Sequence, residues 1–110
     1  MLACDGNFTT FGAMQLAGEP TPLNITVTIA GDHVTVDGIV FNGDYKIMRR
    51  IGGDIFFWAS DATGKLGTFQ GHVNRFSGDV TLQHVEFEDG QISHIYENYL
   101  GTCKPARPLF

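Results

Sequence analysis

The stretch LNITVTIA at residues 23–30 alternates without a break: Leu23, Ile25, Val27 and Ile29 take one parity, Asn24, Thr26 and Thr28 the other. A period of two in β-branched residues describes an antiparallel strand with one face buried and one wet. Gly31-Asp32 follows as a turn signal, and HVTVDG returns with Val34 and Val36 facing inward. The pattern continues to the end of the chain. NGD, Gly52-Gly53, DATGK, NRFSG and EDG separate the short runs YKIMRRI, DIFFWAS, LGTFQGHV, DVTLQHVEF and QISHIYENYLGTC. Turn signals recurring roughly every eight to twelve residues are the mark of an all-β sandwich or barrel. No long window carries a 3.6-residue apolar stripe, and GAMQLAG at 12–18 has room for only a short helical turn.

The expected fold is therefore all-β: a single domain over residues 1–110, an antiparallel meander of about seven to nine strands forming a small closed barrel or tight sandwich. Val80 and Leu82 share one parity, Val85 and Phe87 the other, which predicts a β-bulge near Gln83-His84 and a strongly coiled sheet. Nine Phe and one Trp predict a mostly filled interior with at best a shallow mouth.

An apolar share of 43% with 17% charged residues belongs to a globular chain. Seven basic against twelve acidic residues leave a net charge of −5, which argues against nucleic acid, since phosphate binding needs clustered Lys and Arg. No apolar run approaches the length of a membrane-spanning helix.

The two cysteines, Cys4 and Cys103, stand near opposite ends of the chain. Neither has the close His or Cys neighbours of a zinc site, and no partner base marks a catalytic thiol. The preferred reading is a Cys4–Cys103 disulfide closing the seam between first and last strands, and with it a periplasmic or secreted location. MLACDG lacks the charged start and apolar core of an export signal, so a signal peptide is expected to have been removed. MLAC also resembles a lipobox, and lipidation of Cys4 stands as the alternative, leaving Cys103 unpaired.

NRFSG at 74–78 and the ending YLGTCKPARPLF resemble short exported bacterial proteins of unknown function with an NR-x-[S/T]-G element and a closing CKPA…F. The likeness covers two short stretches of the last third of the chain. It implies an exported location and a β fold, and no activity.

No enzyme signature emerges. The histidines at 33, 72, 84 and 94 form no metal spacing, the hydroxyls sit in no nucleophile motif, and the glycines mark turns instead of a phosphate cradle. No metal or cofactor is expected. His84 and Glu86, at i and i+2 on one strand face, offer a base with an orienting carboxylate, but two polar residues on a wet face are the preferred account of them.

The hairpin around Gly52-Gly53 is the most informative stretch. A two-residue turn pairs Ile51 with Asp54, Arg49 with Phe56, Ile47 with Trp58 and Tyr45 with Ser60. Tyr45, Arg49, Phe56 and Trp58 then share a face, with Arg49 placed for a cation–π contact, and these are residue types enriched at binding hot spots. Core packing is the preferred account of the same aromatics, and a homodimer face is another reading. The leading functional expectation is an exported, non-enzymatic binding or inhibitor-like module that binds through a surface or barrel mouth, its partner a protein or a small apolar ligand. The alternatives are a carrier of small apolar ligands on a lipocalin-like plan, with a cavity beside Trp58, and an enzyme using His84 and Glu86.

Overall fold

A computed structural model describes residues 1–12, 17–38, 41–60 and 68–105. Eight strands follow one another: β1 (Leu2–Thr10), β2 (Thr21–Ala30), β3 (His33–Asp37), β4 (Gly43–Ile51), β5 (Asp54–Ser60), β6 (Thr68–Asn74), β7 (Asp79–Glu88) and β8 (Gln91–Pro105). Each pairs antiparallel with its sequence neighbour, and β8 pairs with β1, so the meander closes into a barrel. The expected helical turn and the DATGK turn fall mainly on residues 13–16 and 61–67, outside the described residues. No helix among the described residues is long and apolar enough to cross a membrane.

Alternation decides which residues look inward. Ile25, Val27, Val34, Val36, Ile55, Phe57, Val73, Val80, Leu82 and Tyr99 are each at most 3% exposed and form one core cluster. One end of the barrel is stoppered by aromatics. Phe41 leaves β-space at a φ of 63°, an uncommon backbone state for a bulky residue. Its ring thereby meets Phe8 and Phe69 edge-on at centroid distances of 5.9 and 6.1 Å. Its carbonyl accepts the Tyr45 hydroxyl at 2.8 Å.

The seam between β1 and β8 runs in register from Leu2↔Pro105 to Thr10↔Glu97, with Cys4 opposite Cys103. The two are joined in a disulfide that spans 99 residues of sequence, so neither thiol is free. The Cys103 N–H donates away from β1, to the Gly78 carbonyl at 2.7 Å. That leaves Cys4–Cys103 as a non-hydrogen-bonded cross-strand pair, the kind in which side chains stand closest. Gly6 faces Gly101 in the same ladder. A Cβ on Gly6 would sit 2.3 Å from the Leu100 carbonyl and 2.8 Å from the Tyr99 ring, so glycine is what lets that ring lie across the seam. The Tyr99 hydroxyl then donates to the Leu23 carbonyl at 2.8 Å, and burial pushes its ionisation up, with the Asp5 charge adding to the effect.

NRFSG forms the β6–β7 turn. The Asn74 side-chain oxygen accepts from the Phe76 and Ser77 amides, each at 2.9 Å, and Ser77 Oγ accepts from the Asp79 amide at 3.2 Å. Gly78, at φ +81°, has no room for a Cβ, which would lie 2.3 Å from the Cys103 carbonyl. NRFSG and the part of β8 around Cys103 therefore meet in space, and their residues have structural duties there.

The bulge expected near Gln83-His84 lies at that level but in the other strand. Between His84↔Glu97 and Val85↔Ile95 the extra residue is Tyr96, on β8, and a second shift between Glu86 and Phe87 adds Ser93, also on β8. Strand β7 keeps its parity against β6 through Thr68↔Val85. Val85 and Phe87 accordingly do not turn inward: Val85 is buried outside the core cluster and Phe87 is 42% exposed. Beyond Thr68 and Phe11 strands β7 and β8 continue to pair with each other as far as Glu88↔Gln91, and the particle measures 47 × 29 × 25 Å.

Replacing both Cys4 and Cys103 by Ala should lower stability to urea by about 4–5 kcal/mol, the chain-entropy worth of closing so long a loop; a loss near zero would mean that the seam holds without its sulfurs. Gly78→Ala should cost roughly 2 kcal/mol or more, from its positive φ and the carbonyl in its way. An unchanged urea midpoint would overturn that account.

Candidate binding surface

Strand β4 does not pair with β5 as simple alternation requires. Ile51↔Asp54 and Arg49↔Phe56 are as expected, but the register shifts at Met48, and Ile47 then meets Phe57 and Lys46 meets Trp58. The physical reason is burial. Unbroken alternation from Tyr45 and Ile47 would point Arg49 into the core, where an unpaired guanidinium is costly. One extra residue at Met48 lets Tyr45 and Ile47 stay inside while Arg49 turns out.

The expected face of Tyr45, Arg49, Phe56 and Trp58 is thereby divided. Tyr45 is a core residue, 2% exposed, with its ring edge-on to Phe57 at 5.3 Å. Burial pushes its hydroxyl well above the usual tyrosine range. Arg49, Phe56 and Trp58 share the outer surface. Trp58 lies in register with Lys46 and Gln70, in the barrel wall and away from the interior.

Reading outward positions across the sheet assembles a surface that no single segment displays. Phe56, His72, Thr81 and Leu100 align across β5, β6, β7 and β8, with Trp58, Gln70 and Gln83 in the adjoining row. An open groove of about 320 Å³ runs between the rows, lined among others by Met48, Arg49, Phe56, Gln70, His72 and Thr81. Met48 is 64% exposed, Phe56 37% and Leu100 56%, a concentration of apolar surface on one side of the barrel. Among the described residues Arg49 has no carboxylate within ion-pair distance.

The groove is held by polar pairs along its edges. Gln70 donates to Gln83 at 3.0 Å. The His72 ring rests against Phe56 with centroids 4.7 Å apart, and its Nε2–H donates to Asp54 Oδ1 at 2.8 Å. Asn74 donates to the same oxygen at 2.7 Å. These bonds, that from His72 foremost, hold the Asp54 carboxyl below the usual aspartate range. Nothing in the sequence pattern groups Asp54, His72 and Asn74, since they lie on two strands and meet only through the β5–β6 register.

His84 and Glu86 stand at the far end of the barrel. The His84 ring is 9% exposed and stacks on Phe69 at 4.1 Å, closing the aromatic stopper. Glu86 accepts the Tyr96 hydroxyl at 2.7 Å, and the Tyr96 ring lies 5.1 Å from His84 and 4.4 Å from His94. The bulged Tyr96 thus stands between the base and carboxylate that a catalytic pair would require. No group of three or more His, Cys, Asp or Glu side chains suited to a metal occurs among the described residues.

Because the folded Asp54 carboxyl is depressed, its contribution to stability is present above the ordinary aspartate range and is lost as pH falls through the folded value. Wild type and Asp54→Asn should differ in urea midpoint at neutral pH and converge below about pH 4. A gap that persists undiminished in acid would show that the groove edge does not depend on this charge.

Compared with protein-family models, with curated protein sequences and with solved structures, the chain matches none.

Proposed function

We propose that this chain is an exported, non-enzymatic binding module that engages a protein partner through the outer face of β4, β5 and β6. The observation that carries this reading is the groove itself. Met48 and Phe56 are exposed on a rigid barrel wall beside Arg49, whose guanidinium no described carboxylate neutralises. Arginine and aromatic anchors at the centre of a patch, with amide and hydroxyl groups around them, are the usual composition of a binding hot spot. Lys46 and Arg49 both lie on the outer face of β4 in a chain of net charge −5, so the patch favours an acidic partner surface. The Cys4–Cys103 disulfide is compatible with an oxidising, extracytoplasmic location and supports export.

The filling of the barrel by Tyr45, Phe57, Leu82 and Tyr99, and the outward position of Trp58, support a surface-binding role over the carrier of apolar ligands. The burial of His84 against Phe69 and the interposed Tyr96 weigh against catalysis by His84 and Glu86.

A photo-crosslinking side chain at position 48 should trap a partner from the extracytoplasmic fraction, to be identified by mass spectrometry and then purified. Phe56→Ala and Arg49→Ala should each weaken the purified complex roughly tenfold or more, the scale of a hot-spot loss. Lys104→Ala, on the seam side, should leave it unchanged. Crosslinks only to a second copy of the chain, or equal affinity in all the variants, would overturn the proposal.

A further inference from the structure

The bulge at Met48 has a second consequence on β4. It returns Arg50 to the inward parity, opposite Ile55, which is 1% exposed in the wall of the core. Arg50 therefore rises at the open rim of the barrel, and its guanidinium donates to the Gly31 carbonyl in the β2–β3 turn. Arg75 stands at the same rim in the Asn74 turn, anchored by its backbone N–H to the Gly53 carbonyl at 2.8 Å. Both arginines line one hollow of about 370 Å³ together with Ile29 and Ile55. Past Arg75 and Ile29 a further hollow of about 400 Å³ is walled in part by Leu2 and by Phe76, which is 87% exposed. Among the described residues neither arginine lies within ion-pair distance of a carboxylate.

A guanidinium offers paired N–H donors that match the two oxygens of a carboxylate, and an apolar floor beside it favours a hydrocarbon body. The geometry points to this rim as a binding site for a small amphiphilic monocarboxylate, its head on Arg50 and Arg75 and its body against Leu2, Ile29 and Phe76. Charge limits the head. Asp32 adjoins Gly31, Asp54 adjoins Gly53, and the chain carries −5 overall, so a dianion is repelled more than a monoanion. The core limits the body. Val27, Val34, Val73 and Val80 fill the barrel beneath the rim at no more than 2% exposure, so a long acyl chain has nowhere to descend. The hollows are of the size that small ligands occupy. This site is separate from the outer groove and stands or falls independently of it.

The test is a titration of the intact, disulfide-bonded chain with octanoate, followed by amide NMR. Saturable shifts should concentrate at Ile29, Gly31, Arg50, Ile55, Arg75 and Phe76. Arg75→Gln, which leaves the turn's backbone bond in place, should weaken octanoate at least tenfold. Arg50→Gln should do the same, and Lys104→Gln should change nothing, with near-ultraviolet circular dichroism confirming an unaltered fold in each. Octanol binding as well as octanoate would overturn the carboxylate assignment. Inorganic phosphate displacing octanoate at equal concentration would overturn the monocarboxylate assignment. Shifts spread through Phe57 and Leu82 would place the ligand in the interior and overturn the rim site, and so would palmitate binding much more tightly than octanoate.

Discussion

The rest of the structure hangs on the pairing of the first strand with the last. A meander left open would expose the edges of β1 and β8, rows of unpaired N–H and C=O groups inviting association with other chains. Here those edges satisfy one another from Leu2↔Pro105 to Thr10↔Glu97, and the Cys4–Cys103 disulfide makes the closure covalent. The turn that begins at Asn74 is tied into the same seam through the Gly78 carbonyl, and Gly6 and Gly101 admit the Tyr99 ring across it. Ring closure thus depends on a short list of residues in which size and backbone freedom matter more than hydrophobicity. NRFSG and the Cys103 region are two halves of one fastening, which accounts physically for their presence in the same chain.

Closure also fixes what the surface can be. With the interior occupied by Tyr45, Phe57, Leu82 and Tyr99 and one end stoppered by Phe8, Phe41, Phe69 and His84, the surfaces left open are the outside of the wall and the opposite rim, where the two proposed sites lie. Both bear arginine, and the groove's Arg49 and the rim's Arg50 owe their places to a single extra residue. The bulge at Met48 turns Arg49 onto the outer groove and brings Arg50 to the rim. Without it one of the two guanidiniums would face the core, with no described carboxylate to meet it.

The bulges show how far parity can be read. Inverted alternation between Leu82 and Val85 signals a conflict at the correct level, but the conflict is resolved in β8, at Tyr96, and Val85 is simply buried on the other side of the sheet. The same reasoning applied to Tyr45, Ile47 and Arg49 would have placed the Met48 bulge. It was masked because the hairpin has apolar residues on both faces, so either register looks acceptable. The candidate site was accordingly legible in part. Arg49, Phe56 and Trp58 do share a face, Tyr45 does not, and the partnership of His72 with Asp54 lay beyond reach because it joins residues 18 apart across a strand pair.

What the sequence determined by itself was local in origin: strand identity from period two, and turns from Gly, Asn and Asp. These follow from backbone sterics and from the need to hide one face of each strand, and neither depends on distant neighbours. Tertiary structure alone decided the register at Met48 and Tyr96, the outward turn of Trp58, and the convergence of Arg50 and Arg75 on one hollow. Each of those outcomes balances burial against desolvation across several strands at once, and that balance exists only when the barrel has closed.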